Sequence, residues 1–95
     1  MRGGVKMTYR ERLLRDLKDP DFRAKWDELE PEYQIAEMII RARYEKSLTQ
    51  KELADRAGLG QASLSRIETG KVSPDIATLQ KIASALGKKL VLSFE

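Results

Sequence analysis

The sequence predicts an all-α protein that closes on one short β-strand. Three observations carry this expectation. Apolar residues recur at i, i+3, i+4 and i+7 through most of the 95 residues. Caps and breakers punctuate those runs at Asp19-Pro20, Thr49, Gly58, Gly70, Ser73-Pro74 and Gly87. The last stretch, KKLVLSFE, switches to period two, with Leu90, Leu92 and Phe94 alternating with Lys89, Val91 and Ser93.

The elements follow in order. TYRERLLRDL forms a first short helix, with Leu13, Leu14 and Leu17 clustered on one side. Asp19 caps a second helix with Pro20 at its first position, and Phe22, Trp26 and Leu29 share one face. Pro31 opens a third, running to about Lys46 and striped by Ile35, Met38, Ile39 and Ala42. Next, Thr49 and Glu52 make a capping box and Leu48 and Leu53 a hydrophobic staple, with Gly58 the left-handed end of the helix. Leu53, Ala54 and Ala57 form its inward face. Leu59 and Leu64 repeat the staple around Gly60, so another helix begins near Gln61 and stops at Gly70. Ser73 and Pro74 start the last helix, which carries Ile76, Leu79, Ile82, Ala83 and Leu86 at helical spacing up to Gly87.

The final strand is the odd element, because a lone strand in a helical chain has no partner for its N–H and C=O groups. Pairing with the same strand of a second copy supplies one. Leu90, Val91, Leu92 and Phe94 are therefore expected to build a two-stranded sheet across a symmetric homodimer. A tail packed on its own domain, or a frayed end, is the plain alternative.

Composition narrows the function. The chain has no cysteine and no histidine. That removes disulfides, thiolate metal sites, the commonest general base and the commonest zinc ligand. An enzyme would have only carboxylates and lysines, so the sequence reads as non-enzymatic, with no cofactor and no metal. No apolar run approaches the roughly 20 residues that span a bilayer. The basic start lacks the apolar region of a secretory signal, so the expected location is the cytoplasm, away from membranes.

The net charge of +3 is unevenly spread. Residues 1–18 hold six Lys/Arg against two acids, residues 19–37 two against seven, and residues 38–95 ten against six. A basic C-terminal body suits a polyanion and an acidic middle does not. Ordinary solvated faces would also account for both.

Two short helices joined by Gly58-Leu59-Gly60 fit a helix-turn-helix. Only Leu64 and Ile67 are large and apolar in the second helix, GQASLSRIETG. A helix entering a groove about 12 Å wide needs outer residues that are small or can hydrogen-bond. Gln61, Ser63, Ser65 and Arg66 qualify, and Ala62 leaves room for a base edge or a thymine methyl.

These residues carry a resemblance. LTQKELA, QASLSRIETGK and the run Pro74, Thr78, Leu79, Lys81, Ile82, Ala83, Ala85, Leu86, Gly87 resemble the DNA-binding domain of the Xre/Cro family of bacterial and phage repressors, over residues 33 to 88. The resemblance implies a five-helix Cro/C1-type domain whose second and third helices form the helix-turn-helix. It implies double-stranded DNA, a near-palindromic operator, as partner. Gln61, Ala62, Ser65 and Arg66 match base-facing positions; glutamine suits adenine and arginine guanine. Gln50 matches a glutamine that clasps a phosphate and steadies Gln61, and Ser63, Thr69 and Lys71 match phosphate contacts. Thr49 caps first and touches DNA second. Arg43 and Glu68 match a partly buried structural ion pair. Plain readings stand beside these: Gln61 as a surface helix start, Ser65 as facing DNA without a specific bond, Lys71 as a solvated turn lysine.

The segment before this domain is similar to antitoxins of the HigA type, through an F-x-x-x-W-x-x-x-x-P-x-Y-x-I run. That resemblance implies a small basic ribonuclease toxin of the RelE superfamily (HigB-type) as partner. Phe22, Trp26 and Leu29 would anchor it, and Asp27, Glu28, Glu30 and Glu32 would attract it. Phe22 and Trp26 packing on the protein's own helices is the alternative. The expected organisation is an extension over residues 1–31, a helix-turn-helix domain over 32–88 and a dimerisation strand over 89–95. A stand-alone phage or mobile-element repressor shares the same DNA chemistry. A protein-binding module that has lost DNA contact has no reason to keep Gln50, Gln61 and Arg66 together.

Overall fold

The computed structural model describes Arg12 and residues 15–95. Of the first expected helix, Leu13 and Leu14 lie outside the described residues, while Arg12, Arg15 and Asp16 are helical and Leu17 is in a turn. Five helices follow: α1 Pro20–Glu28, α2 Pro31–Glu45, α3 Gln50–Ala57, α4 Gln61–Glu68 and α5 Ile76–Ala85. The chain divides into two units between Glu30 and Pro31.

In the first unit, Asp19 caps α1 by accepting from Asp21 N at 2.9 Å, and Pro20 takes the first position. No residue of α1 is buried. Phe22 and Trp26 are half-buried and stack on each other, ring centroids 6.2 Å apart.

In the second unit, α2 packs on α4, and α3 packs on both α4 and α5. Ile39, Ala42, Leu48, Leu53, Ala54, Leu64, Ile67, Ile82 and Leu86 make the core, with Leu53 and Leu64 wholly buried. The close approach of α3 rests on its small residues: Ala54 and Ala57 hide without holding the neighbouring helices apart. Thr49 and Glu52 form the full capping box, and Leu48 and Leu53 both enter the core beside it.

The four helices of this unit end in the same way. The N–H just after each left-handed residue reaches back five positions to a helical carbonyl: Leu48 to Arg43, Leu59 to Ala54, Lys71 to Arg66 and Lys88 to Ala83. The left-handed residue is Ser47 after α2 and a glycine after the others. Serine there lacks the freedom of glycine, which is why the end of α2 carries no obvious sequence signal.

Two expectations are corrected. Residues 88–95 form no strand. Leu90 is half-buried, while Val91, Leu92 and Phe94 are exposed. A single chain offers this tail no backbone partner, and alternation by itself does not make a ladder. Finally, α5 starts at Ile76, capped by Asp75, whose Oδ1 accepts from Thr78 N at 2.8 Å. Ser73 is not the cap; its hydroxyl donates to Glu32 Oε1 at 2.8 Å.

Candidate nucleic-acid interface

Helix α4 is short and is held from one side only. Leu64, Ile67 and Glu68 are its buried residues. Gln61, Ala62, Ser63 and Arg66 are exposed and Ser65 is half-buried. An α-helix with its side chains is about 10–12 Å across, a fit to a major groove about 12 Å wide. Gly58 sets the entry: at φ +70 it ends α3 and turns the chain, and Leu59 then packs against the core. Gly60 caps α4 without a side-chain hydrogen bond, so no side chain competes for its outward N–H groups.

Beneath α4 lies a polar network. Arg43 Nε donates to Glu68 Oε2 at 3.0 Å, and its Nη2 to Glu68 Oε1 at 2.9 Å. Its Nη1 also donates to the Leu48 carbonyl at 3.1 Å. The side chains of Arg43 and Glu68 are only 12% and 4% exposed, so this is a bidentate, desolvated pair. The hydrogen bond to Glu68 raises Arg43 above its ordinary pKa, against the opposing effect of burial. Arg43 therefore stays charged wherever the fold survives.

The network reaches the surface through two glutamines. Gln50 Nε2 donates to Glu68 Oε1 at 3.3 Å, and Gln61 Nε2 donates to Gln50 Oε1 at 3.4 Å. A carboxylate only accepts, so Gln50 must present its NH₂ inward and its carbonyl toward Gln61. Gln61 then spends one N–H on Gln50. It keeps its carbonyl and a second N–H, the pair that reads adenine.

The two threonines at the rim differ. Thr49 Oγ1 accepts from Glu52 N at 3.0 Å, which leaves its hydroxyl proton to donate to a phosphate. Thr69 Oγ1 donates to the carbonyls of Ser65 and Arg66 at 3.0 and 3.1 Å. Its proton is spent on closing the helix, so a phosphate contact from Thr69 needs that bond to break. Lys71 is exposed beside it, in the turn after α4.

Two carboxylates act as caps, not as ligands. The Thr49 backbone N–H, then its side chain, holds Glu52 below its ordinary pKa. Thr78 does the same for Asp75, the side chain contributing more than the backbone.

The other groups of residues lie elsewhere. Phe22, Trp26, Leu29 and Glu30 belong to the first unit, where Leu29 and Glu30 are exposed. Leu90, Val91, Leu92 and Phe94 lie in the irregular tail. Glu32 bonds Ser73, so one acid of the expected toxin-facing set has a structural partner. Tyr33, which the sequence shows only as the tyrosine of the run leading into α2, lays its ring against Gly70. Nothing in local spacing could have flagged a contact over so long a separation.

Comparison with known proteins converges on this region. A family model described as helix-turn-helix, HTH_3, matches residues 39–92. An HTH-type transcriptional regulator of Sinorhizobium fredii, y4dJ, is 47% identical over 53 residues, covering 56% of this chain and 69% of that protein. Antitoxin HigA1 of Mycobacterium tuberculosis is 32% identical over 77 residues, 81% of this chain and 52% of that protein. The immunity repressor protein of Bacillus phage phi105 is 38% identical over 53 residues, 56% of this chain and 37% of that protein. The chain thus spans about half or less of the antitoxin and the phage repressor. No solved structure matches the chain.

Proposed function

The chain belongs to the HTH_3 helix-turn-helix family, and from that premise we infer that it is a sequence-specific DNA-binding transcriptional regulator. The observation that carries the reading is the chain of bonds from Arg43 through Glu68 and Gln50 to Gln61, which ties the first residue of α4 to the buried ion pair. A merely solvated helix has no use for an orienting network of that kind. Gln61, Ala62, Ser65 and Arg66 face the bases in this reading, and Gln50, Ser63, Thr49 and Lys71 face phosphates.

The finer reading is an autoregulating repressor that also serves as the antitoxin of a ribonuclease toxin. Two observations favour it. The match to antitoxin HigA1 extends over 81% of the chain, well beyond the helix-turn-helix. The segment outside the DNA-facing domain carries a stacked Phe22–Trp26 pair among acidic residues, a surface suited to a basic partner. The phage immunity repressor among its relatives supports the alternative of a regulator without a toxin. Two copies, in contact through the exposed apolar residues Val91, Leu92 and Phe94, would set two α4 helices on half-sites about 34–36 Å apart. The site of action in this reading is the cytoplasm. Among the described residues no helix is long and apolar enough to cross a membrane.

Affinity capture of the tagged chain from its own host, followed by mobility shift on the DNA upstream of its gene, tests both levels. A shifted band together with a small basic ribonuclease supports the full reading. A shifted band alone leaves the stand-alone repressor, and absence of any shift refutes the regulator itself. Sedimentation of a chain truncated after Gly87 tests the copy–copy contact: monomers are expected, and a persistent dimer would place the interface elsewhere.

A further inference from the structure

The turn after α4 is held by the first turn of α2. A Cβ built on Gly70 would lie 2.6 Å from Tyr33 Cδ1 and 2.7 Å from Cε1, so the ring occupies the space a side chain would need. Gly70 also has φ +72, and it is glycine for both reasons. Three residues on, the Ser73 hydroxyl donates to Glu32 at 2.8 Å. Adjacent residues of α2 therefore grip the chain at positions 70 and 73, on either side of Lys71. A turn pinned at both ends holds its lysine within a narrow range. That lowers the ordering cost when the ammonium pairs with a phosphate.

The geometry points to Tyr33 and Glu32 as positioning residues for the phosphate-contacting turn, Tyr33 through Gly70 and Glu32 through Ser73. This rests on the reading that α4 and the turn after it face DNA. Tyr33 acts through its ring edge, not its hydroxyl, because Cδ1 and Cε1 make the approach. Its role is electrostatic in outcome and steric in cause: it adds no charge, yet it decides where the Lys71 charge sits.

The test uses the full chain and a random-sequence duplex several turns long, titrated at a series of salt concentrations, with thermal unfolding recorded for every variant. Tyr33→Ala is expected to lower the slope of log affinity against log salt by about one, the share of one phosphate contact. Tyr33→Phe should keep the slope, since the ring makes the contact. Ser73→Ala removes the other grip at an exposed position and should give a partial fall. In a Lys71→Ala background, Tyr33→Ala should change the slope no further. An unaltered slope in Tyr33→Ala overturns the inference. So does a fall that Tyr33→Phe reproduces, which would make the hydroxyl a direct contact, or a fall that adds to that of Lys71→Ala. If the unaltered chain binds no duplex, the DNA-facing reading fails and takes this inference with it, a result distinct from the other three.

Discussion

Helix α4 buries three of its eight residues, Leu64, Ile67 and Glu68, whereas α1 buries none of its nine. Both helices carry side chains that the sequence singles out. Those of α4 stand on a floor of packed leucine and a desolvated ion pair, so their height and direction are set before anything binds. Those of α1 are braced by one another, with Phe22 stacked on Trp26. The difference fits the proposed function, in which α4 reads bases and α1 grips a protein partner. Reading a base edge demands a donor and an acceptor held within narrow limits. Gripping a protein partner demands apolar area, which α1 leaves partly at the surface.

Breaking the floor should have the largest effect. Glu68→Ala strands the Arg43 guanidinium in a buried site and is expected to cost about 3–5 kcal/mol of stability by urea denaturation. A loss below about 1 kcal/mol, the scale of an exposed pair, would mean that the pair does not support α4. Trp26→Ala probes the other side of the comparison. It should weaken capture of a toxin by about 2 kcal/mol or more if Trp26 is an anchor, with a far smaller change in the urea midpoint. A large stability loss with unchanged capture would make α1 a packing element. Arg66→Ala should cost about 1–3 kcal/mol at one operator position and leave stability nearly untouched. Equal weakening on every sequence would reduce Arg66 to a phosphate contact.

The rim of α3 offers a smaller test. Thr49→Ala removes the capping acceptor and should cost about 1 kcal/mol of stability by thermal unfolding. The gentlest perturbation is acid. Glu52 and Asp75 have folded pKa values below their unfolded ones, 4.5 and 3.8. Each therefore stabilises the fold above its ordinary range, and that contribution is lost as the pH falls through the folded value. With no histidine, unfolding temperature should be nearly flat between about pH 5.5 and 8 and decline below about pH 4.5. Glu52→Gln with Asp75→Asn should flatten the decline, and an undiminished acid slope would assign it to other carboxylates.

Much of the second unit was legible before any coordinates. The Thr49–Glu52 box, the Leu48–Leu53 staple, the left-handed Gly58 and the inward faces of α3 and α4 are all local, each acting over a turn or two. The misreadings have local causes too. Ser73-Pro74 and Asp75 offer competing helix starts within three residues, and the charged acceptor nearer the helix takes the cap. KKLVLSFE has the alternation of a strand, but alternation only sorts side chains to two faces; backbone partners must come from elsewhere.

Periodicity and capping thus determined which segments become helices and which face of α4 is left polar, because those signals operate between residues three to seven apart. What those helices support is beyond such signals: the resemblance named the Arg43–Glu68 pair, and only the tertiary structure decided its geometry. Arg43 meets Glu68 across 25 residues, Gln50 meets Glu68 across 18, and Ser73 meets Glu32 across 41. No periodic pattern spans such separations. These groups come within bonding distance because α2, α3 and α4 close around one core, and closing it buries the carboxylate that sets the direction of Gln50 and, through it, of Gln61.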